Sequence, residues 1–409
     1  MPCGGTEAWK TRIATALSCA TLVGSGLLVG CQSGGAAKAP SKASAPAKPH
    51  GYVEGAEEAS EQQSRLVLAD AGTGAGKVLD LITEDITSLE GSDDVQGLRT
   101  DGRFAYLSTA GGTHVVDTGA WTVDHGAHVH YYRAAIRDVG PIPGTDAAYI
   151  HSDQAVTAVS SSQAGTQLLD RMKLEDGTVP FGSALIGAGS GAVVPYKEHL
   201  LVTSAGAGKG PVEVRDREGA RVTALKAPCT QVRGEAVTRR GVVFGCADGA
   251  LLVSEDKGTF DAEKIPYGTA VRASERAVDF HHRAGSTTLV ARSGDDAVRV
   301  LDVTDRAWTR IETGPVVAAN TAGEGSPLLA LGTDGVLTAY DIATKKSVAR
   351  EELLPKGAES VAIEVDTARA YVNDAAARKV YEIDYNDRLR LARTFPLDFA
   401  PTYMAETGR

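Results

Sequence analysis

The most informative residues of this sequence are three histidines, His125, His128 and His130, which lie within six positions of one another. If Val129 is extended, the side chains of His128 and His130 project from one face of a strand. Neutral imidazoles at this spacing suit Zn²⁺, and Asp124 is the candidate for a fourth, oxygen ligand or for the acceptor of a ring N–H. The segment therefore predicts a metal site formed by His125, His128, His130 and Asp124.

The identity of the metal stays open at this point, because imidazole ligands also suit nickel and copper. The alternative is a polar surface loop whose histidines bind nothing.

The other histidines give weaker predictions. His281 and His282 are adjacent and point apart in a strand, which favours a surface position, whereas His151 is a weak candidate to approach the same site.

The elements that position these residues follow from a short pattern that returns from residue 65 onward. An apolar strand, a turn rich in Gly or Asp and a second strand follow one another, as in residues 66–81. Eight copies start about 38 to 52 residues apart, the period of propeller blades. Because a single hairpin cannot cover both of its faces, a radial arrangement of sheets is favoured. The sequence predicts an all-β fold, an eight-bladed β-propeller over residues 65–403; seven blades or two stacked β-sandwich domains are the alternatives.

The first thirty-one residues have the features of a lipoprotein signal. Two basic residues precede an apolar stretch, and Leu28-Val-Gly-Cys31 has the small residues and the thiol of a lipobox. We expect a signal peptide over residues 1–30, a lipidated Cys31 and a flexible tether over residues 31–64. The domain would then work on the outer face of the cell membrane and contact the membrane through its lipid anchor alone. The alternative is a cleaved signal without lipid.

Composition and cysteine usage agree with an exported protein. The formal net charge of −10 argues against a nucleic-acid partner, since neutralising phosphates needs clustered Lys and Arg. Of five cysteines, two leave with the signal and Cys31 would carry lipid. Cys229 and Cys246 remain as an even pair in an oxidising compartment, and the chain has no Cys-x-x-Cys motif. This favours a structural disulfide over a redox or metal-binding role.

Recognisable catalytic motifs are absent from the sequence. Residues 71–78 resemble a phosphate-binding loop, but Val78 stands where a hydroxyl residue would hold Mg²⁺. The chain contains no Gly-x-Ser-x-Gly nucleophile elbow. The sequence therefore predicts a protein that is not an enzyme and has no catalytic residues. A propeller enzyme of the lactonase or quinoprotein type is the alternative, on fold analogy alone.

Several segments of the chain resemble the AztD-type periplasmic zinc metallochaperones. The similarity covers roughly residues 65–400, and its most specific parts are the histidine segment and the cysteine pair. The segments that carry it are residues 117–131, 194–202, 229–249 and 371–384. The resemblance implies a β-propeller with a Cys229–Cys246 disulfide that binds zinc through His125, His128 and His130. It also implies that zinc passes to the solute-binding protein of a zinc ABC transporter.

Three positions differ from the pattern of that family. Gly189 and Ser190 stand where histidines are expected before a Val-Pro, and Arg233 stands where a histidine is expected after the first cysteine. A guanidinium does not ligate zinc and repels it. Together with the Lys/Ala/Pro tether, these differences indicate a divergent actinobacterial lipoprotein that binds zinc through the loop, binds it weakly or has lost it.

The sequence thus leads to two main functional hypotheses. The first is a monomeric, lipid-anchored propeller that binds zinc and hands it to, or cooperates with, the solute-binding protein of a zinc ABC transporter. The second is a metal-free scaffold of the cell envelope that uses the propeller for protein contacts.

Overall fold

The computed structural model describes residues 52–90, 94–125, 128–161, 165–180, 184–186, 190–204 and 210–409. The predicted signal peptide, the predicted lipidation site Cys31 and most of the predicted tether lie outside the described residues. The described residues belong to one compact unit. Among them, no helix has the length and apolar character needed to cross a membrane.

Short β-strands account for nearly all of the regular structure. The first strands along the chain are β1 (Glu57–Ala59), β2 (Arg65–Ala69), β3 (Gly76–Asp80), β4 (Ile86–Leu89), β5 (Gly97–Thr100), β6 (Phe104–Thr109), β7 (Gly112–Asp117), β8 (Ala120–Asp124), β9 (Val129–Arg133), β10 (Arg137–Pro143), β11 (Tyr149–Ser152), β12 (Val156–Ser161), β13 (Gly165–Asp170), β14 (Ala184–Ile186), β15 (Ser190–Tyr196), β16 (His199–Ser204), β17 (Glu213–Arg215) and β18 (Arg221–Ala224). The later ones are β19 (Glu235–Thr238), β20 (Gly241–Cys246), β21 (Gly249–Asp256), β22 (Thr259–Pro266), β23 (Val278–His281), β24 (Thr288–Ser293), β25 (Ala297–Asp302), β26 (Ala307–Glu312), β27 (Val316–Thr321), β28 (Leu328–Gly332), β29 (Val336–Asp341), β30 (Lys346–Glu352), β31 (Ile363–Val365), β32 (Ala370–Asp374), β33 (Lys379–Asp384), β34 (Arg390–Pro396) and β35 (Tyr403–Thr407). One helix, α1 (Arg171–Glu175), and one 3₁₀ turn (Ala273–Glu275) complete the described elements.

The strands assemble into eight antiparallel sheets of four strands each within the described part of the chain. In spatial order these sheets are β35-β2-β3-β4, β10-β7-β6-β5, β11-β12-β13-β14, β15-β16-β17-β18, β19-β20-β21-β22, β23-β24-β25-β26, β27-β28-β29-β30 and β31-β32-β33-β34. The predicted all-β propeller is confirmed, with eight four-stranded blades among the described residues. A ninth sheet has three strands, in the order β1-β9-β8, and is not a blade.

The ring is closed by pairing the last strand with the first blade. β35 runs antiparallel to β2, with Arg65 opposite Thr407 and Ala69 opposite Tyr403. One blade therefore contains strands from both ends of the domain, with β2 paired on both sides and β35 as the strand at one edge. This closure carries the propeller to Thr407, four residues beyond the end at residue 403 that the sequence predicted.

The apolar run of β2 shows how neighbouring blades cover each other. Leu66 and Leu68 pack into a cluster with residues of β32, β33 and β34 on one side. Val67 and Ala69 pack on the other side, in a cluster with residues of β6 and β7. Because successive side chains of a strand point to opposite faces, a strand sandwiched between two blades is apolar at every position. Each such strand therefore contributes to two inter-blade cores.

The disulfide predicted between Cys229 and Cys246 is present. The two Cα atoms lie 5.0 Å apart, and both residues are buried in a cluster with Phe244 and Leu251. The bond ties the segment before β19 to the end of β20, across a separation of 17 residues. It therefore anchors an irregular connection to the inner part of its blade.

Candidate metal centre

The histidine segment forms a β-hairpin that is inserted into the second blade. β8 and β9 leave the blade after β7, and the chain returns to it as β10. In the hairpin Val123 lies opposite His130, and Asp124 lies opposite Val129. Directly opposed residues of an antiparallel pair share a face, so His130 and Asp124 belong to opposite faces of the hairpin.

The turn of this hairpin brings the three predicted histidines together. The backbone N–H of His125 donates to the carbonyl of His128 at 3.0 Å. The ring centroids are 5.0 Å apart for His125 and His128, 5.3 Å for His125 and His130, and 4.8 Å for His128 and His130. One nitrogen from each ring lies within 4.8 Å of the other two. Within the part of the chain that the structure describes, this is the one group of three or more His, Cys, Asp or Glu residues arranged to hold a metal ion.

A carboxylate that sequence reasoning missed contacts this cluster. Glu58 lies on β1, which pairs with β9 so that Glu58 is opposite Tyr132. One Glu58 carboxylate oxygen is 2.7 Å from Nδ1 of His130. An acceptor there favours the tautomer with a proton on Nδ1, which leaves Nε2 with its lone pair free to bind a metal ion. Nothing in the sequence signals the contact, because Glu58 lies 72 residues from His130 in a polar, acidic segment of the predicted tether.

Aromatic packing fixes the inner part of the hairpin. The rings of Trp121 and Tyr132 are stacked at 5.4 Å, and the ring of His130 stacks on the outer side of Tyr132 at 6.3 Å. The guanidinium of Arg103 lies 3.8 Å above the ring of Trp121, and it is held by an ion pair of 2.8 Å with the buried Asp117. This stack holds the ring of His130, which is half-buried, whereas His125 and His128 are exposed.

Contacts at the base of the hairpin attach it to the closed end of the ring. The guanidinium of Arg65 donates to the carbonyls of Thr118 and Ala134, which flank the hairpin. The Thr122 hydroxyl donates to the carbonyl of Gly408 at 2.8 Å, just after the closing strand. The three-stranded sheet therefore has a fixed position relative to the propeller.

Asp124, predicted as a fourth ligand or as a hydrogen-bond acceptor, lies on the other face of the hairpin. Together with Thr122, Val129 and Tyr131 it lines a cavity of about 360 Å³. Residues at the carboxyl ends of inner strands, such as Glu406, line the same cavity. The sheet thus has one face over the channel mouth and the opposite face carrying the histidine cluster. The ligand role of Asp124 stays a prediction, and a carboxylate oxygen of Glu58 contacts His130 of the cluster.

The other histidines are distributed over the propeller. His151 does not approach the cluster; its Nε2 lies 3.0 Å from a carboxylate oxygen of Glu235 in the central channel. His281 has the exposed side chain that the sequence predicts, whereas His282 is half-buried. His281 lines the channel, and His282 donates to the carbonyl of Val237, where burial lowers its pKa to about 4.

The positions that differ from the AztD-type pattern are only partly described. Gly189 lies outside the described residues, and Ser190 begins β15. The backbone N–H of Arg233 donates to the carbonyl of Gly245 at 2.9 Å, beside the disulfide-bonded strand. Arg233 belongs to a segment of the propeller ring distinct from the inserted hairpin.

Comparison with known proteins gives structural neighbours but no sequence relatives. No family model matches the chain, and no curated protein matches it. The crystal structure of AztD from Citrobacter koseri is similar with a TM-score of 0.72 and 17% identity, over 85% of this chain and 98% of that one. Its apo structure gives a TM-score of 0.71 at 16% identity, with the same coverage. The fold is AztD-like.

A propeller enzyme is also among the neighbours. The dihydro-heme d1 dehydrogenase NirN, in complex with DHE, is similar with a TM-score of 0.54 and 16% identity, over 84% of this chain and 75% of that one. At these identities the likeness concerns the fold alone. Function has to be argued from the residues of this chain.

Proposed function

We propose that this protein is a zinc-binding propeller, with His125, His128 and His130 as the ligands. The observation that carries the proposal is the convergence of three imidazole nitrogens within 4.8 Å on the outer face of a hairpin. Three neutral imidazoles are an established donor set for Zn²⁺, with a water or an incoming ligand at the fourth position.

The observed spacing fits zinc after a small closure of the cluster. Tetrahedral zinc with Zn–N bonds of about 2.05 Å places its nitrogen ligands about 3.3 Å apart. The longest separation in the cluster is no more than 4.8 Å, so the rings approach one another by at most about 1.5 Å on binding. His125 and His128 are exposed and close this gap by side-chain rotation, while His130 is held by Glu58 and Tyr132.

The arrangement suits a site that releases its metal. Three protein ligands leave one coordination position open, and a donor from another protein enters there. Each further step replaces one imidazole by a donor of the partner, beginning with the exposed His125 or His128. Glu58 keeps His130 in the metal-binding tautomer until the last exchange.

The cellular role that follows is delivery of zinc outside the cytoplasm. The lipobox at Cys31 and the tether motivate attachment to the outer face of the membrane. The AztD-like fold, together with the open histidine site, motivates a partner that is the solute-binding protein of a zinc ABC transporter. Radiolabelled palmitate incorporated in the parent but not in Cys31→Ala would support the anchor, and its equal absence from both would contradict it.

The direct test is a zinc titration of the full chain against a chromophoric chelator. The parent is expected to bind one zinc ion, and His128→Ala/His130→Ala is expected to lose that binding, because two of three ligands are removed. His199→Ala is the matched control; its Nδ1 lies 2.8 Å from a backbone carbonyl, and it belongs to another blade. Asp124→Asn tests the other face of the hairpin and is expected to leave affinity unchanged.

The outcomes separate the two functional hypotheses. Equal zinc binding by the parent and the double histidine variant would place zinc elsewhere and refute the site. Absence of zinc binding by the parent would favour the metal-free scaffold. Transfer is tested by mixing the zinc-loaded chain with a solute-binding protein from the same organism and measuring how the metal partitions after separation.

A further inference from the structure

The third strand of the inserted sheet comes from a distant part of the chain. β8 and β9 are consecutive and are joined by the histidine turn, whereas β1 belongs to the segment that the sequence predicted to be tether. β1 is an edge strand and pairs with β9 from Glu57 opposite Arg133 to Ala59 opposite Tyr131. We call residues 52–59, which include β1, the strap. The hairpin is continuous in sequence without the strap, so the position of the strap depends on the contacts between the two.

An apolar contact attaches the residues before β1 to the hairpin. Ala56 is buried in one cluster with Trp121 and Tyr132, and Tyr52 and Val53 pack against this cluster. The backbone N–H of Ala56 donates to the carbonyl of Val53 at 3.0 Å, which closes a turn. This turn folds the start of the strap onto the aromatic stack of the hairpin.

The rest of the attachment is exposed to solvent. The side chains of the Glu57–Arg133 ion pair are 70% and 51% exposed, and such pairs contribute little to stability. The other edge of β1 pairs with no strand of the described ranges. A short edge strand with one small apolar contact opens locally at a lower free energy than the blades, whose inner strands pack on both faces. The strap is therefore expected to open before the propeller unfolds.

The strap contacts the proposed zinc site through Glu58. One carboxylate oxygen of Glu58 lies 2.7 Å from Nδ1 of His130. Glu58, Tyr132 and Trp121 are directly opposed across the three strands, so they share the face of the sheet that carries His130. Detachment of the strap removes this acceptor and, with it, the support for the tautomer that binds zinc. The position of the strap and the affinity for zinc are therefore linked.

We propose that the strap is a conformational device that couples the release of zinc to its own detachment, an inference that rests on the proposed zinc-binding function. With the strap docked, Glu58 strengthens zinc binding by about tenfold, the lower end of the range for an outer partner of a ligand. Because coupling between two equilibria is reciprocal, bound zinc holds the strap in place by the same factor. Detachment weakens the bond to His130, which is the last ligand in the proposed exchange, and so completes the release.

The test is amide hydrogen exchange of the full chain, measured by mass spectrometry with and without saturating zinc. In the parent, zinc is expected to slow the exchange of the β1 amides by about tenfold. Peptides from β30, an edge strand of another blade, are the internal control and are expected to exchange equally in both conditions. In Glu58→Ala, zinc is expected to leave the exchange of β1 unchanged, because the coupling contact is absent.

A second variant loosens the strap without changing Glu58. Tyr52→Ala/Val53→Ala removes apolar contacts of the strap, so β1 should exchange faster than in the parent. Its zinc affinity should lie between those of the parent and Glu58→Ala, and combining it with Glu58→Ala should lower the affinity no further. Val348→Ala, which truncates an exposed side chain of β30, is the matched control and should behave as the parent does.

The outcomes distinguish this proposal from the zinc site itself. Zinc binding by the parent without slower exchange of β1 would overturn the coupling and leave the zinc site intact. An equal effect of zinc on β1 in the parent and in Glu58→Ala would also overturn it, since the protection would not depend on the carboxylate. So would full zinc affinity in Tyr52→Ala/Val53→Ala when its β1 exchanges faster. Absence of zinc binding by the parent would overturn both proposals.

Discussion

Removal of the Glu58 carboxylate is the sharpest test of the proposed zinc site, because Glu58 touches no metal ion itself. Its oxygen is 2.7 Å from Nδ1 of His130, and its side chain is 46% exposed. Loss of such an outer partner typically lowers metal affinity by about 10- to 100-fold. Since Glu58 is half in solvent, its charge is screened, and we expect the lower end of this range. Glu58→Ala should therefore bind zinc about tenfold more weakly, a loss of about 1.4 kcal/mol.

The same loss can be read from thermal stability. At a zinc concentration 100 times the dissociation constant of the parent, binding stabilises the folded state by about 2.7 kcal/mol, and a tenfold weaker variant keeps about 1.4 kcal/mol. For a unit of about 360 residues, these values correspond to rises in melting temperature of about 4 °C and about 2 °C. Glu58→Gln keeps an acceptor oxygen but loses the charge, and it should fall between the parent and Glu58→Ala.

Glu57 provides the matched control for this prediction. It is the preceding residue of the same strand and pairs with Arg133, 3.0 Å away, on the other side of β1. Glu57→Ala changes an exposed ion pair of β1 without touching an imidazole. If Glu57→Ala weakens zinc binding as much as Glu58→Ala does, the effect comes from loss of the strand. If Glu58→Ala binds zinc like the parent, the reasoning on the tautomer of His130 is refuted.

Two further predictions concern the propeller itself. Burial raises the pKa of Glu406 to about 7 from an ordinary value of 4.5, so its contribution to stability is complete below pH 4.5 and is lost as the pH rises through 7. Between pH 4.5 and pH 7 the unfolding free energy of the parent, measured by denaturant titration, should therefore fall by roughly 3 kcal/mol relative to that of Glu406→Gln. Glu359→Gln, a variant of an exposed residue, is the control and should follow the parent. Replacing Cys229 and Cys246 together by alanine should lower the unfolding free energy by about 3 kcal/mol, and a reducing agent should destabilise only the parent. Identical pH curves in the first case, or an unchanged unfolding free energy in the second, would contradict these expectations.

The fold could be predicted from the sequence because its repeated unit is local. Each copy contains a strand such as β2, whose run of Leu66 to Ala69 is apolar at every position, followed by a turn and a partner strand. The ring closure was harder to predict from the sequence, because it depends on pairing Arg65 with Thr407 across the whole length of the domain. Residues 57–59 gave no signal either, because β1 is an edge strand that pairs through its backbone and keeps its carboxylates in solvent.

The candidate site could be predicted only as far as its ligands are neighbours in sequence. The alternation of His128 and His130, with His125 across a short turn, was enough to anticipate three convergent rings. The position of Asp124 could not be predicted in this way. Whether a residue of β8 shares a face with His130 of β9 depends on the register of the hairpin. Val123, and not Asp124, is opposite His130.

The location of the cluster on an inserted hairpin has a consequence for how zinc is exchanged. A structural zinc site has four protein ligands and loses its metal only when the surrounding fold opens. Here the ring is closed by β35, and its inter-blade cores do not include the histidines. His125 and His128 are at the exposed tip, while His130 stacks on Tyr132, and Tyr132 stacks on Trp121 in the inner part of the hairpin. In the proposed exchange the first steps are rotations of these two exposed side chains, and neither side chain belongs to an inter-blade core of the propeller. Because a partner reaches this tip from solvent, the rate of transfer should depend on the partner's concentration and not on the stability of the fold.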